Sequence, residues 1–266
     1  MKPSKLYERN FFMLSDEEES EKSAYLKSIE KIDIPCLKPY SELSLAVRHS
    51  LSLFPNNIVV LQDEKNNYDL ESLNSKFYAL IHTDGALERD VLNFINHTPA
   101  YYIPCGILMD RFQFGHHECY LFKELWHGKK YRADYMIIGR GSGGYEFVFV
   151  EFEKPDGKIT LKDGHIGEAF RKGEFQIEDW KYWLDGNFSE LSKDLVSVKG
   201  DMQMPPELEK YDSTRFHYVV VSGLRTDFSD ITYRTAREKA KYLGIHLIHH
   251  DKLYENAVEL LRRETF

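Results

Sequence analysis

The segment "YRADYMIIGRGSGGYEFVFVEFEKP", Tyr131 to Pro155, constrains the fold more than any other part of the chain. Two apolar runs flank a glycine-rich turn, the pattern of a β-hairpin with covered faces. Side chains on a strand alternate faces, so Glu151 and Glu153 point the same way. A turn at Gly141 to Gly144 makes paired positions sum to about 285 and sets Asp134 opposite Glu151, with Cβ atoms about 5 Å apart. Like charges directly opposite destabilise a sheet, and carboxylates are costly to bury. A divalent cation removes both objections, because two or three converging carboxylates make a hard-oxygen site for Mg²⁺ or Mn²⁺. Carboxylates solvated at strand ends are one competing reading. A catalytic acid pair of the glycosidase type is another, although nothing else in the sequence suggests a sugar platform.

Around the hairpin, helical and strand patterns alternate, which predicts an α/β sheet with helices on its faces. Ser15 and Glu18 form a capping box that opens a charged helix to about Lys31. A second helix is expected near Ser41 to Phe54, and "NNIVVLQDEKNNYD" reads as a short strand followed by a polar loop. Residues 1–82 carry no chemical motif and form a small, mainly helical extension ahead of a main domain over 83–266. That domain opens with a helix in "TDGALERDVLNFINHTP", capped by Thr83 or Asp84 and stopped before Pro99. Leu87, Val91, Phe94 and Ile95 make its buried stripe, with Glu88 at the edge. Short strands follow through "YYIPCGILMDRFQF" and "HECYLFKELW", then the hairpin, then a helix in "GHIGEAFRKGEFQIEDWKYWL". Next come a buried strand "RFHYVVVSGLR", a helix "DITYRTAREKAKYLG", a strand "IHLIHH" and a last helix "DKLYENAVELLRRE" capped by Asp251.

Other chemistries are set aside residue by residue. No apolar run approaches the roughly 18 residues of a membrane helix, and the N-terminus lacks a signal-peptide core, so a cytoplasmic protein is expected. Cys36, Cys105 and Cys119 are scattered and read as reduced, buried thiols. "GRGSGG" matches the dinucleotide fingerprint, but a strand follows it where a helix is required; its glycines read as turn residues supplying positive φ. Asp251 and Asn256 have kinase catalytic-loop spacing, yet only ten residues follow Asn256, too few for a kinase. His116, His117, His246, His249 and His250 lack zinc-finger spacing to cysteine. The net charge of -8 argues against non-specific coating of nucleic acid. It leaves room for a local basic groove built from Lys129, Lys130, Arg132, Arg140, Lys154, Lys158, Lys162, Arg171 and Lys172.

The ordered set of Glu88 on a helix, Asp134 on a strand, "EFEKP" on the next strand and "FQIEDWKYWL" on a helix resembles the PD-(D/E)xK nuclease superfamily. With "SGLR" and "HDKLYENA" downstream, the chain is more closely similar to the Shedu family of anti-phage nuclease domains. The likeness covers about Gly85 to Phe266. It implies a restriction-endonuclease-like core with a mixed sheet, and metal-dependent hydrolysis of DNA in anti-phage defence. Asp134 and Glu151 are then metal ligands for Mg²⁺ or Mn²⁺, with Glu88 reaching the metal directly or through water. Gln176 orients site residues or contacts phosphate. Glu153 stands where the pattern has lysine, and is expected to act as general base or as ligand to a second metal. Lys154, one residue late, is the substitute if the strand end re-aims it. The basic residues would grip the DNA backbone. A homo-oligomer is compatible with this reading, and a non-cutting protein that binds nucleic acid or partner subunits is the alternative.

Overall fold

The computed structural model describes residues 5–30, 40–127, 131–156, 159–161 and 167–266. Its helices are α1 (Asp16–Glu30), α2 (Leu45–Ser50), α3 (Leu61–Asn67), α4 (Leu70–Ile81), α5 (Glu88–His97), α6 (Tyr102–Cys105), α7 (Leu108–Arg111), α8 (Glu168–Val196), α9 (Asp230–Leu243) and α10 (His250–Leu260). The strands are β1 (Glu118–His127), β2 (Tyr131–Gly141), β3 (Gly144–Phe152), β4 (Phe216–Val221) and β5 (Ile245–Ile248). They form one mixed sheet in the order β1-β2-β3-β4-β5. The first three are antiparallel, while β3, β4 and β5 run parallel through the α8 and α9 crossovers. Among the described residues no helix is long and apolar enough to cross a membrane.

Alternation along the strands divides the core in two. Tyr135, Ile137, Val148, Val150 and Phe152 face one side with α4, α5 and α10 residues. Met136, Ile138, Phe147 and Phe149 face the other with Phe170, Ile177, Trp180 and Leu184 of α8. Leu6, Val59, Leu61, Leu70, Phe77 and Ile81 join the first of these cores, so residues from the N-terminal part pack directly against the sheet.

The hairpin closes as expected, with Gly141 opposite Gly144 and Tyr135 opposite Val150. Only Gly144 of its glycines has positive φ (98°). Gly139 and Gly141 serve a different need: a Cβ on either would meet the backbone of residues 113–115 at 3.0–3.1 Å. That segment crosses the strand closely enough for Gly115 N to donate to Arg140 O at 2.9 Å.

Several local expectations are corrected. "YYIPCGILMDRFQF" forms α6 and α7 rather than strands; short apolar runs carry no usable period, and Pro104 sits in a first turn where a missing N–H costs nothing. "LQDEKNN" is α3, not a polar loop, with Asp63 and Glu64 favourably placed in its first turn. α4 is capped by Asp69 and buries Leu70, Asn74, Phe77 and Ile81 at helical spacing, so the extension holds a further helix. The helix carrying Glu88 starts at that residue, not at Thr83 or Asp84, because Gly85 is left-handed (φ 74°) and Asp90 reaches back to the Leu87 N–H at 3.0 Å. The second helix is shorter than Ser41 to Phe54 and is capped by Ser44. α10 is capped by His249, whose Nδ1 accepts from Lys252 N at 2.9 Å, rather than by Asp251. The Ser15–Glu18 capping box forms as read. Cys105 and Cys119 are buried free thiols, while Cys36 lies outside the described residues.

Candidate active site

The three hairpin carboxylates occupy the same face of the sheet as α8. Asp134, Glu151 and Glu153 follow the alternation that also directs Met136, Ile138, Phe147 and Phe149 toward that helix. All three are buried, at 7 %, 2 % and 4 % exposure. Asp134 continues the hairpin register at the position facing Glu151, and its Oδ2 accepts from Phe152 N at 2.8 Å. Glu153 is held just past β3 by its N–H, which donates to Val221 O at 2.8 Å.

Helix α8 reaches this corner because of one glycine. A Cβ on Gly173 would lie 2.9 Å from Val220 Cγ1 and 3.6 Å from Glu153 Cγ, so only glycine lets the helix lie so close to the sheet. Its neighbours are thereby delivered to the carboxylates. Lys172 Nζ donates to Glu153 Oε2 at 3.2 Å and lies 3.0 Å from Glu153 Oε1 as an ion pair. The same ammonium donates to Glu88 Oε2 at 3.1 Å, tying the N-terminus of α5 into the site. Gln176 follows one turn after Lys172, and its Oε1 is buried with no hydrogen-bond partner.

Electrostatics mark the cluster as unsettled without a cation. Burial, then Glu88 and Glu153, push the Asp134 carboxyl up to about 7, against the Phe152 hydrogen bond and Arg132. Burial followed by Asp134, Glu153 and Glu88 raises Glu151 well above the usual carboxylate range. Burial also raises Glu153 to about 7, although Lys172 opposes it. For Lys172, burial lowers the pKa, but its bonds to Glu153 and Glu88 outweigh that and raise it.

Glu151 Oε2 is buried with no partner. An orphaned carboxylate oxygen facing a second carboxylate fits a hard cation such as Mg²⁺, which is commonly held by one or two carboxylates with water or phosphate completing its shell. Among the described residues no group of three or more acidic, histidine or cysteine side chains is arranged to hold a metal by itself. The fit is therefore to Asp134 and Glu151, with Glu88 and Glu153 engaged by Lys172.

Lys154 is exposed, and its charge lowers Glu153 less than that of Lys172 does. The lysine in contact with Glu153 is Lys172, which sequence reading placed only among general basic residues. The usable signal was its position four residues before Gln176 on one helix. Arg140 pairs with Glu118 at 2.8 Å near the hairpin end, about 20 Å along β2 from Asp134, and is not part of this corner. Lys129, Lys130, Lys158 and Lys162 lie outside the described residues. Comparison with protein families matches residues 52–254, about three quarters of the chain, to the family described as Shedu protein SduA, C-terminal. The match starts well ahead of Gly85. No curated protein matches the chain.

Proposed function

This chain belongs to the Shedu protein SduA C-terminal family, and from that premise we propose that it is a metal-dependent nuclease that hydrolyses DNA phosphodiester bonds. Family membership suggests a role in anti-phage defence. A restriction-endonuclease-like core of PD-(D/E)xK type belongs to the same proposal. The observation that carries it is the burial of three mutually repelling carboxylates, Asp134, Glu151 and Glu153, beside a lysine from α8.

Asp134 and Glu151 would hold Mg²⁺ or Mn²⁺, which when bound supplies charge neutralisation at the scissile phosphate and acidifies water. Glu153, raised to about 7 by burial, is matched to taking a proton from the attacking water near neutral pH. Lys172 orients Glu153 and adds positive charge where a phosphate would approach. Glu88 fixes Lys172 from the opposite side, and the free Gln176 amide oxygen is available to position water or a neighbouring side chain.

A second reading is that the protein binds nucleic acid or partner subunits without cutting. It is favoured by Lys172, which already neutralises Glu153 and Glu88. Incubation with linear, nicked, supercoiled and single-stranded DNA in Mg²⁺, Mn²⁺ or EDTA separates the two. Cleavage is expected with either metal and not with EDTA, and Asp134→Asn should lower it by about 10²–10³-fold. Binding unaffected by EDTA, with no cleavage under any condition, would establish the second reading instead.

A further inference from the structure

The open edge of the sheet carries a cavity whose lining differs from that of the carboxylate corner. β5 is last in the strand order, so one of its edges has no strand partner among the described residues. A cavity of about 350 Å³ runs along that edge, a size within the range of small-molecule sites. Its lining includes Tyr233 and Arg237 of α9, Arg111 of α7, Lys252 of α10 and His246 of β5.

Charge selects the class of occupant. Three cations share the cavity with one carboxylate, Asp110, which lies 3.1 Å from Arg111 Nε and 3.0 Å from Lys252 Nζ. Arg237 has no ion pair or hydrogen bond among the described residues, and its side chain is exposed. The lining is therefore cationic, with one uncommitted guanidinium whose planar donors match phosphate. Shape and polarity narrow the class further. The rings of Phe228 and Tyr233, both in the lining, have centroids 5.3 Å apart, and Tyr233 is 38 % exposed, giving a ring on which a planar base can stack. Burial, then Arg111 and His217, push His246 down to about 4, so its ring is neutral at pH 7 and offers one donor and one acceptor. A bare anion would use the arginines and leave the aromatic rings uncovered; a purely apolar ligand would leave the cations unpaired.

We propose that this cavity binds a nucleoside phosphate, its phosphate at Arg237 and Lys252 and its base against Tyr233 and Phe228. The ligand is either a free nucleotide or one nucleotide of a nucleic-acid strand, since both present the same chemistry. The site does not depend on cleavage by Asp134 and Glu151.

Calorimetry on the full chain in EDTA, repeated with Asp134→Asn, tests it with AMP, adenosine, inorganic phosphate and a single-stranded oligonucleotide as probes. Saturable AMP binding that weakens about tenfold or more in Arg237→Ala and in Tyr233→Ala, and returns in Tyr233→Phe, establishes a free-nucleotide site. If AMP is silent while the oligonucleotide shows the same losses, the occupant is a nucleotide within a strand. Inorganic phosphate binding as tightly as AMP would overturn the proposal, as would probe affinities that ignore both substitutions. Both residues are exposed, and an unchanged melting temperature confirms that the variants are folded.

Discussion

Lys172 is the residue on which the site turns. It belongs to a helix, yet its ammonium lies against Glu153, the residue just past β3 that stands where a lysine would be expected. Lys172→Ala would leave a buried carboxylate that burial alone already drives upward, so Glu153 should titrate higher still and the pH profile of cleavage should move to alkaline values. Cleavage should fall by about 10²-fold or more. The melting temperature should change little, because Lys172 is 54 % exposed and surface ion pairs contribute little. Glu153→Lys alone would set two ammonium groups together; combined with Lys172→Glu it restores opposite charges, and activity of the double variant should exceed that of either single one. Equal activity in all three would mean that the pair has no role in the chemistry. Gln176→Ala tests the positioning residue: a loss of about 10–100-fold in cleavage is expected, with metal affinity shifted and thermal stability held.

At the scale of elements, the contact between α8 and β4 sets the reach of every α8 side chain in the site. Gly173→Ala would gain up to about 1 kcal/mol of helix propensity and lose about 1–3 kcal/mol to overpacking, because the new Cβ meets Val220 Cγ1 at 2.9 Å. Overpacking wins. A fall of about 2–4 °C in melting temperature per kcal/mol is expected for a chain of this size, together with reduced cleavage as Lys172 is drawn from Glu153. Val220→Ala removes the clashing methyl and should restore much of both in the double variant. Additive losses would show that helix approach is limited elsewhere. The α8 helix also bends near Asn187 (φ −133°), whose side chain donates to Trp183 O at 2.9 Å; the site lies before this bend and is unaffected by it.

Across the whole molecule, two sets of buried groups pull stability in opposite directions over the same pH range. Asp134 and Glu153 are raised to about 7 and the buried Glu64 to about 8, so the folded state holds their protons longer than the unfolded chain does. Their stabilisation is present at low pH and is lost as pH rises from about 4 toward 7–8. His246 and His250 are depressed to about 4 by burial, so they cost stability as pH falls from about 6.5. A divalent cation acts only on the carboxylates, by favouring their ionised forms. The rise in melting temperature on adding Mg²⁺ should therefore be larger at pH 8 than at pH 5, and should vanish in Asp134→Asn. An equal rise at both values, or one that survives Asp134→Asn, would place metal binding elsewhere.

The sequence alone determined the features that depend on neighbours along the chain. Strand alternation put Glu151 and Glu153 on one face, and the turn glycines set the hairpin register, which is observed from Gly141–Gly144 to Tyr135–Val150 and, continued by one step, sets Asp134 against Glu151. The long periodic segments of α9 and of α8 up to Leu184 were legible for the same reason; the remainder of α8 to Val196, beyond Asp185 and Gly186 and past the bend at Asn187, was not. The short apolar stretch around Pro104 was not, because a run of a few buried residues looks alike in a strand and a helix turn. Tertiary structure decided which distant groups meet. Nothing local to Lys172 specifies Glu88, which is 84 residues earlier in the chain; they meet because Gly173 admits α8 to the sheet and Gly85 delays the start of α5. The cavity beside β5 likewise forms because residues of α7, α9 and α10 meet at an edge that no strand covers among the described residues. Periodicity reports which face of an element is buried, whereas packing alone determines what that face is buried against.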